Sequence, residues 1–206
     1  MSPEELVTAL YNGGYAGAVL TNHFTGGNTG ISRDLPWADF VREYELDFER
    51  CKKAAEEYDV DIIFGVEDQI SGGLEILAYG VTPEILYAHP ELREHKYEDW
   101  RKVADEHEFL LIQAHPFRER DYIFTPGIIA DDIDGIEVFN YCNLPQANEK
   151  AAEWAKSHPE IILTSGADAH ATDKVASAGI STNKRIRNGQ DLISLLKTGD
   201  YETIIE

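Results

Sequence analysis

Positive charge is scarce in this chain. Eighteen lysines and arginines face 38 aspartates and glutamates, giving a net charge of −20 over 206 residues. The acids run through the whole chain rather than forming a tail. Such a surface repels nucleic acid and anionic membranes, which disfavours both as partners of the surface as a whole. Cysteine is also scarce, with only Cys51 and Cys142, far apart in sequence. That excludes a disulfide-stapled scaffold and favours two free thiols in a reducing cytoplasm over a lone disulfide. No apolar run is long enough to span a bilayer. The opening Met-Ser-Pro-Glu-Glu lacks the basic and apolar segments of a signal peptide, so a cytoplasmic location is expected. Also missing are a Gly-x-Ser-x-Gly elbow, a Gly-x-Gly-x-x-Gly turn and a phosphate-binding P-loop.

What is present is an ordinary globular composition, 43% hydrophobic and 27% charged, cut into short apolar segments. Ser2 to Glu5 form a capping box with Pro3 at the first helical position, and Gly13-Gly14 end that helix. Residues 17–21 read as a strand running into Asn22-His23, and residues 24–35, rich in Gly, Asn, Thr and Ser, as a functional loop. Residues 37–58 carry the spacing of a long amphipathic helix. Strands are expected over 60–66, ending in Glu67-Asp68, and over 74–79, joined through a hairpin-like Ser71-Gly72-Gly73. Further strands are expected over 109–113, 135–139 and 161–164, with helices over 97–106, 146–156 and 191–197 before a short apolar tail. This alternation predicts one α/β domain, residues 1–206, with a largely parallel sheet, open or closed into a barrel.

Four of the strands end in residues that ligate metals or move protons: His23, Glu67, His115, and Asp168 with His170. In parallel α/β architectures the C-terminal strand ends gather on one face, where the site lies. This set of residues fits a metal site better than a nucleophilic triad. Each residue also has an ordinary reading. His23 and His115 suit capped core histidines, Glu67 a strand-end carboxylate, and Asp168 with His170 a capped turn. Coincidence at four strand ends is the less economical account. The other histidines, His89, His95, His107 and His158, sit among charges and read as surface. Arg118, three residues after His115, offers a bidentate fork for an anion or is a solvated loop arginine beside Glu119 and Arg120. Lys174, Lys184, Arg185 and Arg187 form a local basic stretch, which suits a small anionic substrate at one face or is a solvated face.

The segments Thr21-Asn22-His23, Gly65-Val66-Glu67, Ala114-His115-Pro116-Phe117-Arg118 and Ala167-Asp168-Ala169-His170 resemble, in order, the motifs of the PHP family, named for polymerase and histidinol phosphatase domains. The opening Ser-Pro-Glu-Glu-Leu helix leading into Thr-Asn-His resembles that family's helix into Thr-Asp-His. The resemblance covers nearly the whole chain. It implies a distorted (β/α)7 TIM-like barrel with a metal cluster at the C-terminal strand ends, hydrolysing phosphate esters. By position, His23 and His170 share one metal, and Glu67 bridges two others, completed by Asp168 and by His115. Three departures stand out. The family's first motif, a His-x-His strand, is expected upstream of Ser2, so the first barrel strand is missing from this chain. Asn22 replaces the usual Asp, and Glu75 stands where many members place a metal-binding His. A carboxylate still binds hard or borderline cations, so Glu75 is a candidate ligand or an exposed strand carboxylate.

The resemblance therefore implies a phosphoesterase using divalent zinc, manganese or iron, up to three ions in the family and fewer here. A small phosphorylated substrate is expected, with Arg118 contacting an anion near the metals and Asn22 beside it in the catalytic machinery. Two other readings stay open: a PHP-fold binding module without hydrolysis, and another barrel metal hydrolase acting on amide or lactone bonds. The absent first strand further implies an open, crescent-like barrel, or a homo-oligomer whose partner chain covers the free edge.

Overall fold

The computed structural model describes residues 1–70 and 72–205. Helix α1, Pro3–Asn12, starts on the expected capping box: Ser2 Oγ accepts from the Glu5 amide, and the Glu5 carboxylate accepts from the Ser2 amide. Strand β1, Gly17–Leu20, follows, and after the polar loop comes α2, Trp37–Ala55. Strands β2, Asp61–Gln69, and β3, Glu75–Tyr79, form a hairpin; Ser71 of its expected turn lies outside the described residues. Helices α3, Pro83–Ala88, and α4, Tyr97–His107, are bridged by a 3-10 turn, Pro90–Glu94. Then come β4, Leu110–Gln113; β5, Gly135–Asn140; α5, Pro145–Ala155; and β6, Ile162–Gly166. The chain ends with β7, Ala178–Ser181; α6, Gly189–Thr198; and β8, Glu202–Ile205.

The main sheet has six strands in the order β1-β2-β3-β4-β5-β6 and curls into a half-barrel. The expectation of a largely parallel sheet needs correction. The β1–β2, β4–β5 and β5–β6 pairs are parallel, but β3 runs antiparallel to both its neighbours. A tight hairpin leaves no room for the crossover that a parallel neighbour requires. A closed (β/α)7 barrel is not formed: among the described residues nothing pairs β1 with β6, and the two line a cavity of about 1050 Å³ between them. The expected apolar tail is strand β8, paired antiparallel with β7 in a two-stranded ribbon beside β6. Helix α3 was not legible as a separate element. Among the described residues no helix is long and apolar enough to cross a membrane.

Two features fasten the site's supports. The first is aromatic. Phe24, directly after His23, is fully buried and meets Trp37, Phe40, Tyr44 and Trp100 edge-on at centroid distances of 4.9–6.2 Å. The Tyr44 hydroxyl then donates to the carbonyls of Asn22 and Gly65. The second is Asp68, which is fully buried. Its carboxylate accepts from the Gly26 amide at 2.6 Å, the Trp100 indole at 2.9 Å and the Thr25 hydroxyl at 3.2 Å. Gly26 is required for this approach, since a Cβ there would lie 2.0 Å from the Gln69 carbonyl. The start of the polar loop is thereby tied to β2 and α4.

The remaining polar residues also correct the sequence reading. His158 stacks on Trp154 at 3.7 Å, His95 Nδ1 lies 3.1 Å from the Thr25 hydroxyl, and His89 and His107 contact each other. Lys184 pairs with Asp200, and Arg185 pairs with Asp59 and Asp61. Lys184 and Arg185 thus each have a carboxylate partner, which agrees with the reading of this stretch as a solvated face. Both cysteines are free thiols.

Removing the Asp68 carboxylate takes the acceptor from the buried Gly26 amide and Trp100 indole, while the Thr25 hydroxyl keeps the Leu92 carbonyl within 3.4 Å. Asp68→Ala is expected to cost about 2–4 kcal/mol of folding free energy, whereas Thr25→Ala, which removes one donor, should cost about 1 kcal/mol. Urea denaturation of both variants checks the difference.

Candidate metal centre

Strand register builds the site. The β1–β2 pairing of Leu20 with Phe64 continues past the end of β1 as a bridge between His23 and Glu67. Paired residues on neighbouring strands share a face, so His23 and Glu67 lie side by side. On the other edge of β2, Gln69 pairs with Glu75. Residues 67 and 69 share a face, so Glu75 joins Glu67, and the Gln69 amide donates to the Glu75 carboxylate at 3.3 Å. Asp68, between them, points the opposite way into its clamp.

His115 reaches the same point by a different route. Gln113 pairs with Ile76, which also pairs with Asp68, so Gln113 belongs to the face opposite Glu67. Residue 115 would follow it if the strand continued. Instead His115 has φ +32°, and its Nε2 lies 2.9 Å from Glu75 Oε2 and 3.3 Å from Glu67 Oε1. Phe117 and Asp168 also adopt left-handed backbone, at φ +63° and +50°. Non-glycine residues rarely occupy this region, and strain of this kind concentrates at functional sites.

The structure thus brings His23, Glu67, Glu75 and His115 together. His23 Nδ1 lies 3.5 Å from Glu67 and 3.9 Å from Glu75, and ligand atoms of these three all fall within 4.8 Å of one another. Nδ1 is buried and has no hydrogen-bond partner among the described residues. An unpartnered buried imidazole nitrogen facing two carboxylates fits a cation. Two imidazoles and two carboxylates form a donor set suited to zinc, manganese or iron.

Asp168 and His170 stand apart from this group. The Asp168 carboxylate accepts from Arg118 Nη2 at 2.6 Å. His170 is 76% exposed, its ring centroid is 6.4 Å from that of His23, and its Nδ1 faces the Asp168 carbonyl at 3.0 Å. Arg118, only 10% exposed, is also held by Asn143 through Nε and by Asn140 through Nη2. Asn22 is exposed and lines the cavity; its carbonyl accepts from Tyr44 and from the Glu67 amide.

One carboxylate of this region escaped the sequence reading. Glu137, buried in β5, accepts from the His115 amide at 2.8 Å and from the Asn140 side chain at 2.9 Å. Gly166 makes room for it: a Cβ there would sit 1.8 Å from Glu137 Oε1. Glu137 fixes the backbone of His115 and, through Asn140, steadies Arg118. Its signal was an acid in the middle of Gly-Ile-Glu-Val-Phe-Asn, an otherwise apolar strand.

The electrostatics follow from burial. Burial alone would push the His115 pKa down, but hydrogen bonds to Glu67 and Glu75 outweigh it and carry it up to about 9. Burial likewise pushes Glu75 up, yet its contacts with His115 and the nearby His23 hold it below the usual carboxylate value. Glu137 is raised by burial.

No protein-family model matches the sequence, and no curated protein matches it in sequence comparison. Solved structures do match in fold. An amidohydrolase from Chromobacterium violaceum, with bound sulfate and no metal, aligns over 95% of this chain and 92% of its own, at TM-score 0.61 and 14% identity. A protein from Bifidobacterium adolescentis, provisionally assigned as a metal-dependent phosphoesterase, aligns over 95% and 90%, at TM-score 0.56 and 13% identity. The lesion-specific endonuclease EndoQ from Pyrococcus furiosus aligns over 91% and 57%, at TM-score 0.51 and 12% identity. The fold is therefore similar to that of metal-dependent hydrolases.

Protonated His115 gives a pH signature to the metal-free protein. Its folded pKa of about 9 exceeds the ordinary 6.5. The associated stability is fully present below about pH 6.5 and is lost as pH rises through about 9. Chelator-treated protein should therefore lose on the order of a few kcal/mol across that window. A bound divalent ion requires neutral imidazole and should flatten the dependence. Thermal melts from pH 6.5 to 9, with and without metal, check this; a pH-independent melting temperature in the chelated protein would count against it.

Proposed function

We propose that this chain is a metal-dependent phosphoesterase of the PHP type, acting on a small phosphorylated substrate. One observation carries the reading. His23 Nδ1 is buried and unpartnered among the described residues, within 4 Å of the Glu67 and Glu75 carboxylates. Structural neighbours described as a phosphoesterase, an amidohydrolase and an endonuclease support hydrolysis in general. The four cited PHP-like motifs favour the phosphate ester among these. The cavity of about 1050 Å³ beside the site suits a small molecule, and the acidic surface disfavours a polyanionic one.

In this reading His23, Glu67, Glu75 and His115 hold the ion. When bound, it lowers the pKa of a water and polarises a phosphoryl oxygen. The protein's own part is positioning. Glu137 fixes the His115 backbone, so the imidazole is aimed without rearrangement. Arg118 is braced by Asn140, Asn143 and Asp168, and its charge is assigned to the phosphate oxygens. Asn22 is assigned a polar contact to substrate. Asp168 and His170 also provide ligands for a further ion, should their side chains turn toward His23.

The amidohydrolase neighbour supports a second reading, cleavage of amide or lactone bonds at the same centre. Metal analysis combined with panels of phosphate esters, amides and lactones separates the two. Ester turnover with at least one divalent ion per chain is expected. Glu75→Gln should lower both metal content and turnover. Arg118→Ala should reduce ester kcat/KM by about a hundredfold, with poor rescue by Arg118→Lys, since an ammonium cannot reproduce the braced fork. Turnover confined to amides or lactones would overturn the phosphoesterase reading, and metal uptake without any turnover would favour a binding module.

A further inference from the structure

At the other end of β4 from His115, three ligand-type side chains meet that have no part in the site above. His89 links α3 to the 3-10 turn, and Glu106 and His107 close the last turn of α4. Ligand atoms of the three lie within 4.8 Å of one another. His89 Nε2 stands 2.9 Å from His107 Nε2, with the rings nearly perpendicular at 78°. His89 is 13% exposed, so its ring is held by its surroundings rather than swinging in solvent.

The protonation pattern makes this more than a chance contact. His89 Nδ1 lies 2.9 Å from the Glu91 carboxylate. A carboxylate has no hydrogen to offer, so His89 Nδ1 donates, and in the neutral imidazole Nε2 carries a bare lone pair. A carboxylate on the far nitrogen of an imidazole is the usual device for orienting a metal-binding histidine and raising its basicity. The lone pair points at the equivalent nitrogen of His107, and the two share a single hydrogen, supplied by His107. That hydrogen can move to His107 Nδ1 by a change of tautomer, freeing both Nε2 atoms for a cation with no net release of a proton. At zinc–nitrogen distances of about 2.0–2.1 Å, a tetrahedral ion separates two such nitrogens by about 3.3 Å. The two nitrogens would need to part by only a few tenths of an ångström, with each ring tilting so that its lone pair turns from its neighbour to the ion.

Position adds to the chemistry. The ion would sit at the C-terminus of an eleven-residue helix, where the free carbonyl ends present negative charge. Two imidazoles and one carboxylate leave a fourth coordination position for water, and imidazole-rich sets suit zinc. We propose that His89, Glu106 and His107 form a second, surface zinc site, oriented by Glu91, that staples the α3 segment to the end of α4. It does not depend on the function assigned to the first centre.

Zinc titration of the metal-stripped full chain by calorimetry tests this. Wild-type protein is expected to bind one zinc more per chain than His107→Gln, and Glu75→Gln should keep that additional ion. Glu91→Ala retains all three ligands and should weaken the site about 10–100-fold. Glu106→Gln changes an exposed side chain, so it reports on the site even if the histidine variant folds poorly, and it should also weaken binding. Zinc should raise the melting temperature of Glu75→Gln but not of the Glu75→Gln/His107→Gln double variant. Equal zinc uptake in wild type, His107→Gln and Glu106→Gln would reduce the cluster to a hydrogen-bonded histidine pair and overturn the proposal.

Discussion

Two adjacent carboxylates on one strand face opposite ways, and the rest of the architecture depends on it. The pleat of β2 sends Glu67 into the cavity and Asp68 into the protein interior. Each side is specified by its own partners: His23, Glu75 and His115 for the first, and Thr25, Gly26 and Trp100 for the second. A one-residue slip of β2 would exchange the two, leaving Asp68's donors unpaired and emptying the candidate centre of its central acid. The fold's stability and the site's composition are thus set by the same register. Phe24 extends this coupling, since the residue after His23 anchors an aromatic cluster that spans α2 and α4.

Negative charge is concentrated where it would be most costly without compensation. Glu67, Glu75 and Glu137 are all buried, in a chain that already carries a net −20. Without a metal, the proton on His115 is the nearest available compensation, which is why its imidazole titrates so far above the ordinary value. Arg118 does the same for Asp168. The two halves of the region therefore differ in kind. One is a group of donors gathered around an unpartnered nitrogen; the other is the Arg118–Asp168 ion pair. That division sets Asp168 and His170 apart from His23, Glu67, Glu75 and His115, although His23, Glu67, Asp168 and His170 line the same cavity.

Much of the site was legible because strand ends are easy to see when an apolar run stops at a ligand-type residue. His23, Glu67 and His115 were found that way. Glu75 needed the family resemblance, since a carboxylate at the start of a strand has no distinctive pattern of its own. Other features were not visible for physical reasons. The direction of His115 is decided by a single dihedral, and no periodicity encodes it. Glu137 lay inside a strand rather than at its end. The antiparallel β3 and the final β8 depend on which strands find each other, which local propensity does not specify. His89, Glu91, Glu106 and His107 are ordinary polar residues in sequence, and only packing brings them together.

Three side-chain-bearing residues in left-handed backbone, His115, Phe117 and Asp168, flank the candidate centre. Glycine would relax each of them, by about 1 kcal/mol where no contact is lost. His115 and Asp168 have polar side-chain partners that glycine would forfeit, and Phe117 packs against the cluster around Ile136 and Val138. Selection for heat resistance and selection for turnover should therefore pull this segment in different directions. At residue 117, two positions from a candidate ligand, the lost packing of the ring opposes the backbone gain, and a softer backbone there would blur the aim of the imidazole.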